Sequence, residues 1–208
     1  MSMSSTGPAR AALAETLLPE GTARLVSSVL LVIAGTLVIA IAAKIKVPFY
    51  PVPVTLQTLA IFGIAAAFGA RLGVITVLAY LAEGALGLPV FTNTPPMAAG
   101  PAYFLGPTGG FLLGFVAIAW IVGAAADRGW SRSFPKMLGA MLVAEVVMMA
   151  LGFAWLAWFA TLSSGATGLG LATAFSAGVA PFILGDLLKI VLAAAAVPAI
   201  WQLLDRRA

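Results

Sequence analysis

From Leu25 to Ala43 the chain runs nineteen residues without a charge, between Arg24 and Lys44. Coiled as an α-helix at about 1.5 Å per residue, such a run reaches about 28 Å, close to the hydrocarbon thickness of a bilayer. The rest of the chain is built alike. Of 208 residues, 62% are hydrophobic and 9% charged, whereas soluble domains carry roughly 25% charge. A soluble monomer is therefore excluded, and the expected fold class is all-α, a polytopic membrane protein. Six spans of about 20 residues use about 120 residues and leave enough chain for the ends and connectors of one membrane domain.

The expected helices cover approximately residues 24–45, 55–69, 72–87, 111–126, 137–162 and 181–204, a single membrane domain over 24–208. Residues 1–23 lack the charged start, apolar run and cleavage site of a secretory leader. They read as a cytoplasmic tail, with helical tendency near Ala11 to Leu18. Lys46 to Pro53 reads KVPFYPVP. Its prolines remove helix donors and impose extended backbone on the residues before them, so an ordered loop is expected. Gly69-Ala70-Arg71 reads as a tight turn. Leu88 to Gly110, LPVFTNTPPMAAGPAYFLGPTGG, holds five prolines and four glycines. It is too broken for a helix and too apolar for a disordered linker. Ser163 to Gly170 is a Gly/Ser-rich connector.

Orientation follows from the cations, which are retained on the cytoplasmic face. With six spans, the face holding both termini and the even-numbered loops carries Arg10, Arg24, Arg71, Arg128, Arg132, Lys136, Arg206 and Arg207, eight of the eleven cations. The opposite face carries Lys44 and Lys46, and Lys189 lies within the last span. Both termini are expected in the cytoplasm. The proline-rich first loop, the long third loop and the fifth loop then fall outside, so a site open to the exterior is expected.

With no Cys and no His, the chain has no disulfide, thiolate nucleophile, imidazole base or usual Cys/His zinc site. It also lacks a G-x-x-x-x-G-K-[ST] phosphate loop. The net charge of +4 is spread over a greasy chain and reads as a topology signal rather than a nucleic-acid patch. Asp186 and Lys189 stand three apart in GDLLK and share a helix face. Ionisable groups inside a span are costly and normally meet a cavity or a partner. The alternative is a self-neutralising structural pair. A carboxylate beside an ammonium offers both an acceptor and a donor to a small polar ligand. Gln57 and Asn93 would add amides from the same side, or satisfy loop backbone. Gly100, Gly106, Gly109 and Gly110 allow either close backbone approach or tight turns. Tyr103, Phe104, Phe91, Trp155 and Trp158 could wall a pocket, although tryptophan near a helix end is also a usual interfacial residue. Glu83 and Glu145 are the remaining intramembrane acids, and both proton coupling and helix-to-helix hydrogen bonding stay open for them.

Four ordered blocks carry a resemblance: VPFYPVPVTLQTLA from Val47, YLAEGALGLPVF from Tyr80, GPTGGFLLGF from Gly106 and PFILGDLLK from Pro181. The chain resembles the BioY family, the biotin-specific substrate-binding (S) subunits of energy-coupling factor (ECF) transporters. The resemblance implies a six-helix subunit of the cell membrane that captures biotin near the outer surface under the first and third loops. It implies no enzymatic activity and no cofactor. A partner membrane scaffold and cytoplasmic ATPases would supply the drive, a homo-oligomer remaining open. By position, Asp186 would accept from the ureido N–H and Lys189 would donate to a ligand oxygen. Asn93 and Gln57 would be polar supports, with Tyr103, Trp155, Gly100 and Gly109 completing the expected ligand site. Two other readings stand beside this one: an S subunit for another vitamin, and an intramembrane enzyme relying on Ser163 or Ser164 with Lys189.

Overall fold

The computed structural model describes residues 12–14, 21–48 and 50–206. Most of the expected tail over 1–23, with Arg10 and most of the stretch from Ala11 to Leu18, lies outside the described residues, as does Arg207. The described elements are helix α1 (Thr22–Lys44), short strands β1 (Lys46–Val47) and β2 (Val54–Thr55), helices α2 (Gln57–Ala85), α3 (Gly109–Asp127), α4 (Phe134–Trp158), α5 (Leu171–Gly178) and α6 (Ile183–Asp205), with 3₁₀ turns at Pro101–Leu105 and Trp130–Arg132. Of these, α1, α2, α3, α4 and α6 are long and apolar enough to cross a membrane.

Helix α2 is folded back on itself. A straight helix would hold Gln57 and Tyr80 about 35 Å apart, yet Gln57 Nε2 donates to the Tyr80 hydroxyl at 2.8 Å. The reversal sits at Gly69, whose φ of 77° and ψ of 177° break the helix. Only glycine enters that region without steric cost. A Cβ there would also run into Asp127 Oδ1, because Ala70 N–H donates to Asp127 Oδ2 at 3.0 Å. The turn expected across Gly69, Ala70 and Arg71 is thus made at Gly69 and clamped by the end of α3. Past the reversal, Gly73 brings its backbone against Ala65, the small-residue approach that lets membrane helices pack closely.

Glycines set the other close approaches. A Cβ on Gly114 would meet Met148, and one on Gly110 would meet Trp155, so α3 lies tightly on α4. The interior holds Phe62, Tyr80, Ile118, Met141, Met148, Leu156 and Ile190. The outside is equally apolar: Leu25, Leu30, Leu37 and Ile41 of α1, Val143 and Val146 of α4, and Leu188 and Leu192 of α6 are exposed. This lipid-facing belt costs nothing where the solvent is itself hydrocarbon.

Helix α4 stops at Trp158, short of the expected 162. Beyond it, Thr161 pairs with Thr167 and donates its N–H to the Leu105 carbonyl at 2.8 Å, tying the fifth loop to the third. Helix α5 lies between the Gly/Ser-rich connector and α6, a stretch the sequence reading left unassigned. It sets Ala174 and Gly178 inward, Gly178 against Leu156. At the same end the first loop joins in, Tyr50 and Ser163 sharing a hydroxyl bond at 3.3 Å. The other end is held by Arg132 and Asp205, paired at 2.8 Å, with the guanidinium 3.9 Å above the Trp201 ring.

Candidate functional site

Under the joined loops, a cavity of about 50 Å³ is enclosed by the first loop, both arms of α2, the third loop and the starts of α3 and α6, with α4 behind. The first turn of α6 contributes Asp186, and one turn further on comes Lys189; both are buried. Lys189 Nζ donates to Asp186 Oδ1 at 2.7 Å and to Thr58 Oγ1 at 3.2 Å. Thr58 in turn donates to Asp186 Oδ1 at 3.3 Å. Lys189 is an ammonium held between acceptors and Asp186 a carboxylate held by donors, which is how a charge is kept in a low-dielectric interior. Asp186 Oδ2 has no partner among the described residues. An acceptor of that kind beside a cavity suits an N–H group from a ligand.

Gln57 is fixed from three sides. Its Nε2 reaches Tyr80. Its Oε1 accepts from Thr92 Oγ1 at 2.8 Å and from Thr55 Oγ1 at 3.3 Å. The Tyr80 hydroxyl then donates to the Val90 carbonyl at 3.2 Å. The amide thus joins the first loop, the second arm of α2 and the third loop at the cavity wall. Tyr103 stacks on Phe91 with centroids 4.5 Å apart, and Phe91 meets Tyr80 edge-on at 5.5 Å. Burial pushes the Tyr103 phenol up from its ordinary value, so it stays a hydroxyl donor at neutral pH. Phe111, Phe115, Met148 and Phe182 complete an apolar floor.

Of the eight expected site residues, the structure brings Asp186, Lys189, Gln57 and Tyr103 to this cavity. The other four stand around it. Asn93 Oδ1 accepts from Lys46 Nζ at 2.7 Å. Trp155 Nε1 donates to the Gly106 carbonyl at 2.9 Å. Gly100, at φ 124°, donates its N–H to the Gly84 carbonyl at 2.9 Å. Gly109 is small because a Cβ would run into the Phe104 carbonyl. All four hold the roof in shape. Trp158 is exposed on the lipid side. Ser163 and Ser164 bond to Tyr50 and to the Ala166 N–H, while Lys189 bonds to Asp186 and Thr58.

Thr58, Tyr80 and Thr92 were missed from sequence. A tyrosine inside a span was the available signal, since a buried phenol needs a partner. The two threonines carried none. Lys44 and Lys46, read only as topology markers, donate into the third loop: Lys44 to the carbonyls of Phe91 and Thr94, and Lys46 to the Thr92 carbonyl at 3.1 Å.

Comparison with known proteins identifies the family and a similar fold. The sequence profile of the BioY family matches residues 11–206. The chain is 35% identical to the biotin transporter BioY of Thermotoga maritima, over 76% of this chain and 86% of that protein. It is 35% identical to the probable biotin transporter BioY of Pyrococcus horikoshii, over 80% and 90%. Its fold is similar to a crystal structure of the S-component for biotin from an ECF-type ABC transporter, with a TM-score of 0.70 and 25% identity, covering 88% of this chain and 95% of that one.

Proposed function

The chain belongs to the BioY family, and from that membership we propose that it captures biotin for uptake as the substrate-binding subunit of an energy-coupling factor transporter. It is a transport subunit and not an enzyme. The observation that carries the ligand is the buried Asp186–Lys189 pair on a loop-roofed cavity, with Asp186 Oδ2 still to be satisfied. Biotin presents two ureido N–H groups and a carbonyl beside an apolar sulfur ring, with a carboxylate at the end of a flexible tail. Asp186 accepts from a ureido N–H, Lys189 donates to a ligand oxygen, and Gln57 and Tyr103 supply further polar contacts. The ring lies on Phe91, Phe111 and Phe182. Asn93, Trp155, Gly100 and Gly109 act through the shape of the roof.

The folding back of α2 supports six crossings within one membrane domain over 24–208, and the cation distribution supports cytoplasmic termini in the cell membrane with the cavity facing outward. The chain has no phosphate loop, so release to the cytoplasm is driven by a partner scaffold and ATPases, which alone use ATP. Equilibrium binding of labelled biotin to the purified chain in detergent tests the reading. Wild type binds tightly, and Asp186→Asn and Lys189→Ala lose affinity. Unlabelled riboflavin or thiamine does not compete. Retained affinity in both variants overturns the site, and competition by another vitamin overturns the ligand.

A further inference from the structure

Helices α4 and α6 place Glu145, Asp186 and Lys189 in one buried group, each less than one-tenth exposed. Lys189 already balances the charge of Asp186. Glu145 adds a second carboxyl from the neighbouring helix α4. The two line one apolar recess between Met149 of α4 and Ile190 of α6. Neither Glu145 oxygen has a partner among the described residues, and neither does Asp186 Oδ2.

Two carboxylates are both acceptors, so their orphan oxygens can bond only when one of them carries a proton. Two anions against one ammonium would also leave a net charge in an apolar interior, which is costly. One proton removes that charge and lets one Glu145 oxygen donate to Asp186 Oδ2, which keeps a further lone pair for the ligand. Asp186 already accepts from Lys189 and Thr58, which leaves Glu145 as the acid that holds the proton. The ionisable groups around Glu145 are Asp186 and Lys189 of α6; from α2 the group is met by the Thr58 hydroxyl, and Tyr80 and Tyr103 stand on the cavity wall.

We propose that Glu145 is a positioning residue of the ligand site, a protonated carboxyl whose O–H donates to the Asp186 carboxylate and holds it so that its remaining lone pairs face the ligand's N–H. This rests on the reading of Asp186 as the ligand's acceptor. Glu145 itself does not touch the ligand; it acts through Asp186.

Infrared difference spectra of wild type and Glu145→Gln, taken without biotin at neutral pH, read the proton directly. A protonated-carboxyl C=O band present in wild type and removed in Glu145→Gln is expected; a wild type without the band, or a band that survives the substitution, overturns the proposal. Biotin titration then reads positioning. Glu145→Gln keeps an N–H donor and stays within about threefold of wild type, whereas Glu145→Leu loses about tenfold or more. Wild-type affinity in a folded Glu145→Leu overturns positioning, and the infrared arm stands if that variant does not fold. Unchanged binding in Asp186→Asn overturns the site reading and leaves the infrared result intact, so the two failures are distinguishable.

Discussion

Gln57 shows how much of the site rests on uncharged side chains. Its amide is buried and bonded to Tyr80, Thr92 and Thr55. Removing a partner strands a polar atom in a dry place, which costs about 1–3 kcal/mol, so Tyr80→Phe and Thr92→Val weaken biotin binding roughly fivefold or more in an equilibrium titration. Asp186 and Lys189 were legible in the sequence because ionisable residues in an apolar span need a reason. Thr58 and Thr92 were not, because a threonine in such a chain is ordinary. What distinguishes them is a partner 128 or 35 positions away. Trp155 shows the opposite failing. Its size fitted a pocket wall, but a partly buried indole N–H needs an acceptor, and the Gly106 carbonyl supplies it outside the cavity.

At the scale of elements, two devices shape the site. The first is the reversal of α2 at Gly69, which brings Gln57 beside Tyr80. Gly69→Ala forces a side chain into a left-handed backbone and against Asp127. It is expected to lower the thermal midpoint in detergent through a loss of about 1–3 kcal/mol. Gly63→Ala, a position with open space around it, is the control and leaves the midpoint unchanged or raised. The second device is the roof. A ligand pocket is usually several hundred Å³, about 300 or more, and this cavity is about 50 Å³, so the first and third loops are expected to part for biotin to enter. Lys44 and Lys46 bond to the third loop, and these bonds are expected to yield when it opens. The double variant Lys44→Met/Lys46→Met is expected to release biotin about tenfold faster in a chase experiment, from the loss of about 1–2 kcal/mol of bonding across the loops. An unchanged release rate shows that the roof opens elsewhere.

For the whole molecule, the two ends of the bundle differ in kind. One end joins three loops over the cavity. The other carries Arg132 paired with Asp205 and short connections. The cysteine-free chain allows a clean test of which end faces out. Tyr50→Cys is expected to react with a membrane-impermeant maleimide in intact cells, and Lys136→Cys only after the membrane is opened. The reverse pattern inverts the topology.

Hydrophobic run length and the scarcity of charge determined by themselves that this chain is a helical membrane protein, since unbroken apolar runs of about twenty residues span lipid as helices, whereas the strands of a closed barrel are shorter and alternate apolar with polar residues. They also picked out the Asp186–Lys189 pair, and the four sequence blocks carried the family. Tertiary structure decided the rest. Which hydroxyls reach Gln57 and Asp186, that Glu145 and Asp186 line one recess, that Trp155 supports the roof, and that Lys44 and Lys46 bond to it all depend on contacts between distant segments. The reason is physical. Burial in a bilayer is a property of a segment's own composition, whereas a hydrogen bond is a property of two groups. Only the packing of glycine-rich helices brings those groups within hydrogen-bonding distance of each other.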